Sequence, residues 1–96
     1  MMQLVYTKAA VSDLQRLRAF IAAHDPDSAQ RVAAELIRRM AKLCDFPQLG
    51  RIVHEAPNPA LVRDMGFGRY VVRYAVRGDL IVILRIWHHF ELRAPL

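Results

Sequence analysis

The chain has 96 residues, 54% hydrophobic and 24% charged, which excludes a disordered segment and leaves room for one hydrophobic core, read here as a single domain over residues 1–96. Fourteen Lys and Arg against nine Asp and Glu give a net charge of +5, and all but Lys8 and Lys42 of the basic residues are arginine, the side chain best shaped to grip phosphate or carboxylate. The lone Cys44 excludes an internal disulfide and a cysteine-based zinc site, and no apolar run approaches bilayer length, so a soluble cytoplasmic protein with an acidic partner is expected.

The first element is a short strand at Gln3–Tyr6. Thr7 offers a capping hydroxyl, and Val11, Leu14, Leu17, Phe20 and Ile21 then recur at helical spacing, with Asp13, Gln15, Arg16 and Arg18 assigned to the outward face. His24-Asp25-Pro26 ends this helix and starts the next, Asp25 as cap and Pro26 where its missing N–H costs nothing. The second helix presents Ala29, Val32, Ala33, Leu36, Ile37, Met40 and Leu43 on one stripe, pairs Glu35 with Arg39 outside, and stops at Phe46-Pro47. So short a link between two amphipathic helices predicts an antiparallel helical hairpin.

Residues 47–59 read as a proline-rich loop, 61–65 as a strand, and Gly66-Phe67-Gly68 as a turn. Strands at 70–76 and 80–87 follow, joined around Arg77-Gly78-Asp79 as a hairpin. The predicted architecture is α+β: an N-terminal two-helix antiparallel hairpin packed on one face of a small antiparallel sheet. Residues 80–84 are apolar on both strand faces, the pattern of a central strand covered on both sides. The helices cover one side. Nothing else in the chain is left for the other, so an outside partner is the expected cover.

The sheet half carries Arg63, Arg69, Arg73, Arg77, Arg85 and Arg93. Arg85 differs from the rest because it interrupts an apolar strand. It needs either an ion-pair partner, such as Asp64 or Glu91, or a place on the functional surface. His88 could serve as a general acid or base, or simply bond to backbone at the sheet edge. Its neighbour His89 points to the opposite face of a strand, so the pair is not expected to hold a metal. Ser-His-Asp spacing, a P-loop and a dinucleotide glycine fingerprint are all missing, which argues against phosphate-transfer or dinucleotide enzymes.

Several of these pieces, taken in order, resemble the RelE/ParE superfamily, the toxins of bacterial type II toxin–antitoxin pairs. They are Ala10 and Asp13-Leu14; Pro26 with Ala29; Phe46-Pro47-Gln48-Leu49-Gly50-Arg51, similar to the family's P-x-x-G-R; Leu61-Val62-Arg63; Tyr70-Val71-Val72-Arg73-Tyr74; Gly78-Asp79; and Ile83-Leu84-Arg85-Ile86-Trp87-His88. The resemblance implies a helical hairpin on an antiparallel sheet, no cofactor, and a hetero-oligomer with a cognate antitoxin whose acidic, amphipathic tail wraps the toxin.

Two activities occur in the superfamily. RelE-like members cut mRNA on the ribosome, and ParE-like members poison DNA gyrase. In the nuclease group an arginine stands three positions before the second-strand tyrosine. Counted from Tyr74, that position is Val71, which cannot stabilise a phosphate. The nuclease lysine cluster is also missing from residues 47–65, which hold only Arg51 and Arg63 as strong cations. His88 does match a catalytic histidine of some nuclease members. The resemblance therefore favours a ParE-like gyrase inhibitor with no catalytic residues. The alternatives are a RelE-like endoribonuclease and, on charge alone, a small nucleic-acid-binding module. Arg51, Arg63, Arg73, Arg85 and His88 are the candidates for the functional or antitoxin-facing surface.

Overall fold

The computed structural model describes residues 2–58, 61–89 and 91. The chain runs β1 (Gln3–Tyr6), α1 (Lys8–Ala22), α2 (Pro26–Lys42), β2 (Arg51–Ile52), β3 (Val62–Phe67), β4 (Tyr70–Arg77) and β5 (Leu80–His88). Both helix starts follow from local chemistry. The Thr7 hydroxyl accepts from the Ala10 N–H, and the Asp25 carboxylate accepts from the Ser28 N–H with Pro26 in the first turn.

The five strands form one sheet in the order β1-β5-β4-β3-β2. Strands β2 to β5 are successively antiparallel, as expected, but β1 lies parallel to β5, so the sheet is mixed. The helical hairpin carries the chain across the sheet to the far edge, and three antiparallel reversals bring β5 back beside β1 in the same direction. Gly66 and Phe67 belong to β3 rather than to a turn. The reversal falls at Gly68-Arg69, where Gly68 takes a φ of 56°. The two-residue strand β2 lies inside the segment expected to be all loop.

One face of the sheet meets the helices. Ala10, Leu17, Leu36, Met40 and Leu43 pack against Met65, Val72, Tyr74, Ile81, Ile83 and Ile86 in the main core. The step from Ile83 to Ile86 breaks strict alternation. The register passes from Tyr74↔Ile83 to Arg73↔Arg85, leaving Leu84 as an extra residue, a β-bulge.

By register, Val71, Arg73, Ala75, Val82 and Trp87 lie on the other face. That face is less bare than the composition implies: Arg73, Ala75 and Trp87 are buried within the chain itself. The segment after β2 runs along β3, its Val53 N–H donating to the Val62 carbonyl, and both Val53 and Ala56 are buried. The expectation of a wholly uncovered flank is therefore corrected. Loop side chains and the Trp87 indole close much of it, while Val71, Val82 and Leu84 stay partly open. The large apolar side chains that are well exposed lie elsewhere: Val11, Phe20 and Ile37 on the helices, and Phe46 and Leu49 after them.

Beyond Ile83, β5 outruns β1, which has turned into α1. Its backbone edge is satisfied by side chains instead. Thr7 Oγ1 donates to the Leu84 carbonyl (3.0 Å), Asp13 accepts from the Ile86 N–H (2.9 Å), and Arg16 donates to the Ile86 carbonyl (3.2 Å). The Glu91 carboxylate takes the His88 N–H (2.8 Å). No buried side-chain polar atom of the described residues lacks a partner.

Candidate functional site

Arg85 does need a carboxylate, but the partner is neither Asp64 nor Glu91. Its guanidinium grips Asp13 of α1 through two bonds, 2.8 and 3.0 Å. Asp13 is 2% exposed, not outward-facing as assigned from the sequence. The sequence held the signal: position 13 lies three residues after Ala10 and four before Leu17, both buried, so it falls on the inward stripe. Arg16 completes the cluster, bonding to Asp13 (2.6 Å) and to both oxygens of Glu91 (2.9 and 3.2 Å). Burial pushes the Asp13 carboxyl up, but the bonds from Arg85, Ile86 N–H and Arg16 outweigh it and hold the group below the usual carboxylate range. Glu91 is lowered in the same way, burial opposed by Arg16 and the His88 N–H.

Arg73 is also saturated. It forms a bidentate pair with Asp64 (2.8 and 2.9 Å), and its guanidinium lies 5.1 Å from the centre of the Trp87 ring. At 5% exposure it supports the sheet's outer face rather than presenting a contact to a partner. Asp64, offered from sequence as a partner for Arg85, is consumed here.

The P-x-x-G-R segment has a structural reason. Tyr74 is fully buried, and its hydroxyl accepts from the Gly50 N–H and donates to the Pro47 carbonyl, both at 2.8 Å. A Cβ on Gly50 would stand 2.8 Å from the Asp64 carbonyl oxygen and from Tyr74 Cε1, so only glycine fits. Arg63 closes the clasp by donating to the Gly50 carbonyl (2.8 Å). Arg51, next along, is exposed, and no carboxylate among the described residues pairs with it.

His88 sits at the end of β5. Its ring is edge-on to Tyr70 with centroids 5.0 Å apart and lies 6.2 Å from the Phe20 ring. Val71 stands opposite Trp87 on the other face. The five predicted site residues therefore do not converge. Arg51 and Arg63 sit at the β2–β3 edge, Arg73 is buried on the outer face, Arg85 is locked to α1, and His88 lies at the far end of the β4–β5 pair. Arg93 falls outside the described residues. Among the described residues no group of three His, Cys, Asp or Glu is placed to hold a metal.

One basic-lined concavity lies by the clasp. Arg39, Lys42, Phe46, Leu49, Arg51, Asp64, Met65 and Gly66 enclose about 490 Å³ between the end of α2 and the free end of β3.

Comparison with known proteins agrees with this architecture. The model of the ParE toxin of the type II toxin–antitoxin system parDE matches residues 4–92. The chain is 34% identical to Toxin RelE2 of Caulobacter vibrioides over 92 residues, covering 96% of this chain and all of that protein. It is 31% identical to Toxin RelE1 of the same organism, over 88% of this chain and 89% of the relative. A solved structure described as a chromosomal ParDE TA system from P. aeruginosa superposes with a TM-score of 0.78 at 25% identity, covering 92% of this chain and 96% of that one. A match across nearly every element, with the P-x-x-G-R clasp and the helical hairpin in place, makes this chain a member of the RelE/ParE superfamily of type II toxin–antitoxin toxins.

Proposed function

We propose that this toxin arrests growth in the cytoplasm by poisoning DNA gyrase, in the ParE manner, and that it is not a nuclease. Membership of a type II family implies a cognate antitoxin as partner. The observation that carries the target is the state of Arg73 and Arg85 on the two central strands. Cleaving RNA through its 2′-hydroxyl requires cations free to stabilise charge building on the phosphate, near a general base. Arg73 and Arg85 are each occupied by two bonds to a carboxylate of the same chain, and Val71 supplies no charge. Recruiting Arg73 would leave Asp64 unpaired, and recruiting Arg85 would strip the buried Asp13 of its two-bond partner, leaving it only Arg16 and the Ile86 N–H.

The second reading, a ribosome-dependent endoribonuclease, is favoured by the RelE names of the two Caulobacter relatives and by His88 against Tyr70. The test is to add the purified toxin to gyrase and supercoiled plasmid, and separately to ribosomes with bound mRNA. Linear DNA with gyrase and intact mRNA are expected. Cut mRNA without linear DNA, lost in His88→Ala, would reverse the assignment.

A further inference from the structure

We propose that the free toxin pairs with a second copy of itself through the open edge of β1, forming a two-fold dimer with one continuous sheet. The inference stands apart from the choice between gyrase and the ribosome. It starts from what β1 lacks.

β1 closes one side of the sheet, with β5 its one strand neighbour among the described residues. The Gln3 N–H donates to the Asp79 carbonyl and the Thr7 N–H to the Ile83 carbonyl, so residues 3, 5 and 7 turn their backbone groups toward β5. Leu4 and Tyr6 turn theirs outward, and among the described residues nothing bonds to them. Exposed edges are usually blunted by a charge, a proline or a bulge. Gln3-Leu4-Val5-Tyr6 has none of these. The opposite edge differs, since β2 is only two residues long and carries the exposed Arg51. Apolar surface flanks the open strand. Val5 at the rim is 42% exposed. On the helix side Tyr6, Leu14 and the well-exposed Val11 and Ile37 line a hollow of about 360 Å³, with Arg18 the one charged residue on its walls.

Symmetry and charge select a second copy as the occupant. Leu4 and Tyr6 sit evenly about Val5. A two-fold axis through Val5 therefore sets each Leu4 opposite Tyr6 of the other copy, and each such pair exchanges both N–H···O=C bonds. The Val5 side chains meet on the axis. The strand itself carries no charge, so nothing on it rewards a charged visitor. Lys8, the first cation beyond it, follows Thr7. The two Thr7 residues stand four strand steps apart, about 13 Å, so the like charges of Lys8 lie farther apart than the screening length at physiological salt. A pair of four-residue strands is too small alone for a specific dimer, which buries about 1,200 Å² or more in total. The same axis brings each hollow toward its copy, and Val11 and Ile37 supply the further apolar area.

Sedimentation of the full-length chain, freed of antitoxin, tests this. At about 100 μM the wild type should run at twice its 11.0 kDa and shift toward monomer on dilution, with the Leu4 and Tyr6 amides exchanging more slowly in the dimer. Val5→Lys alters one exposed side chain, so it should keep the native melting transition while weakening the dimer about tenfold or more. Val5→Glu should do the same. An equal mixture of the two should recover the dimer, because the axis sets lysine against glutamate. In a Cys44→Ser background, Val5→Cys should oxidise to a covalent dimer, its Cα atoms standing about 4.5 Å apart, whereas Gln3→Cys, about 13 Å from its copy, should not. A wild type that stays monomeric overturns the proposal, and protection of the Leu4 and Tyr6 amides by antitoxin in that monomer would give the edge to the antitoxin instead. A dimer indifferent to Val5→Lys, or one in which Val5→Cys fails to cross-link, overturns it equally.

Discussion

Replacing Asp13 tests whether α1 and β5 are held together as the geometry indicates. Asp13→Ala removes the acceptor of a buried backbone N–H at Ile86 and the counterion of two arginines. Breaking a buried ion pair from one side costs about 3–5 kcal/mol, and orphaning a buried amide about 1–3 kcal/mol. These costs overlap, and the arginines recover part of theirs from water, since Arg85 and Arg16 retain 34% and 43% side-chain exposure. The expected loss is therefore about 2–4 kcal/mol. For a chain of this size the total is on the order of 5–14 kcal/mol.

Urea unfolding reports it directly through the single tryptophan, Trp87, which is 6% exposed in the fold. In Asp13→Asn an amide oxygen can still accept from Ile86 while the charge is lost, so the cost should be smaller. The pH dependence follows from the lowered pKa. A carboxyl whose folded pKa lies below its unfolded value stabilises fully above the unfolded value, and that stabilisation disappears as pH falls through the folded one. The wild-type chain should therefore lose stability on acidification below about pH 4, and Asp13→Asn should lose less. A cost under about 1 kcal/mol for Asp13→Ala, or additive losses in Asp13→Ala/Arg85→Ala, would refute the lock.

Gly50→Ala should destabilise by about 2 kcal/mol, read as a lower urea midpoint, because its neighbours at 2.8 Å are a strand carbonyl and a buried ring that cannot retreat. Tyr74→Phe keeps the ring but strands the Gly50 N–H and the Pro47 carbonyl, costing roughly 1–3 kcal/mol in the same assay. If the gyrase reading holds, His88→Ala should leave growth arrest on induction unchanged and fold normally; loss of arrest with a native melting curve would count for the nuclease.

Where a signal is local, the sequence carries it plainly. Thr7 and Asp25 set the helix starts at their own positions, and the Gly78-Asp79 turn forms with Gly78 at a φ of 57°. Features that depend on distant partners were not legible. Asp13 and Arg85 are 72 residues apart, and either could satisfy several candidates until the register is known. The bulge at Leu84 shifts which β5 residues face the helices, and no residue type announces it. β2 is too short to show alternation, and its pairing is fixed by the Tyr74 clasp from another strand. The burial of Arg73 followed from the same gap, since a basic residue reads as surface until its carboxylate is found one strand away.

The parallel pairing of β1 with β5 ties residues 3–6 to residues 80–83, across both helices and the three strands between them in sequence. A growing polypeptide cannot finish this sheet piecemeal; β1 has no strand partner until β5 has been made and folded beside it. Completion of the folded toxin thus waits on the pairing of its most distant strands.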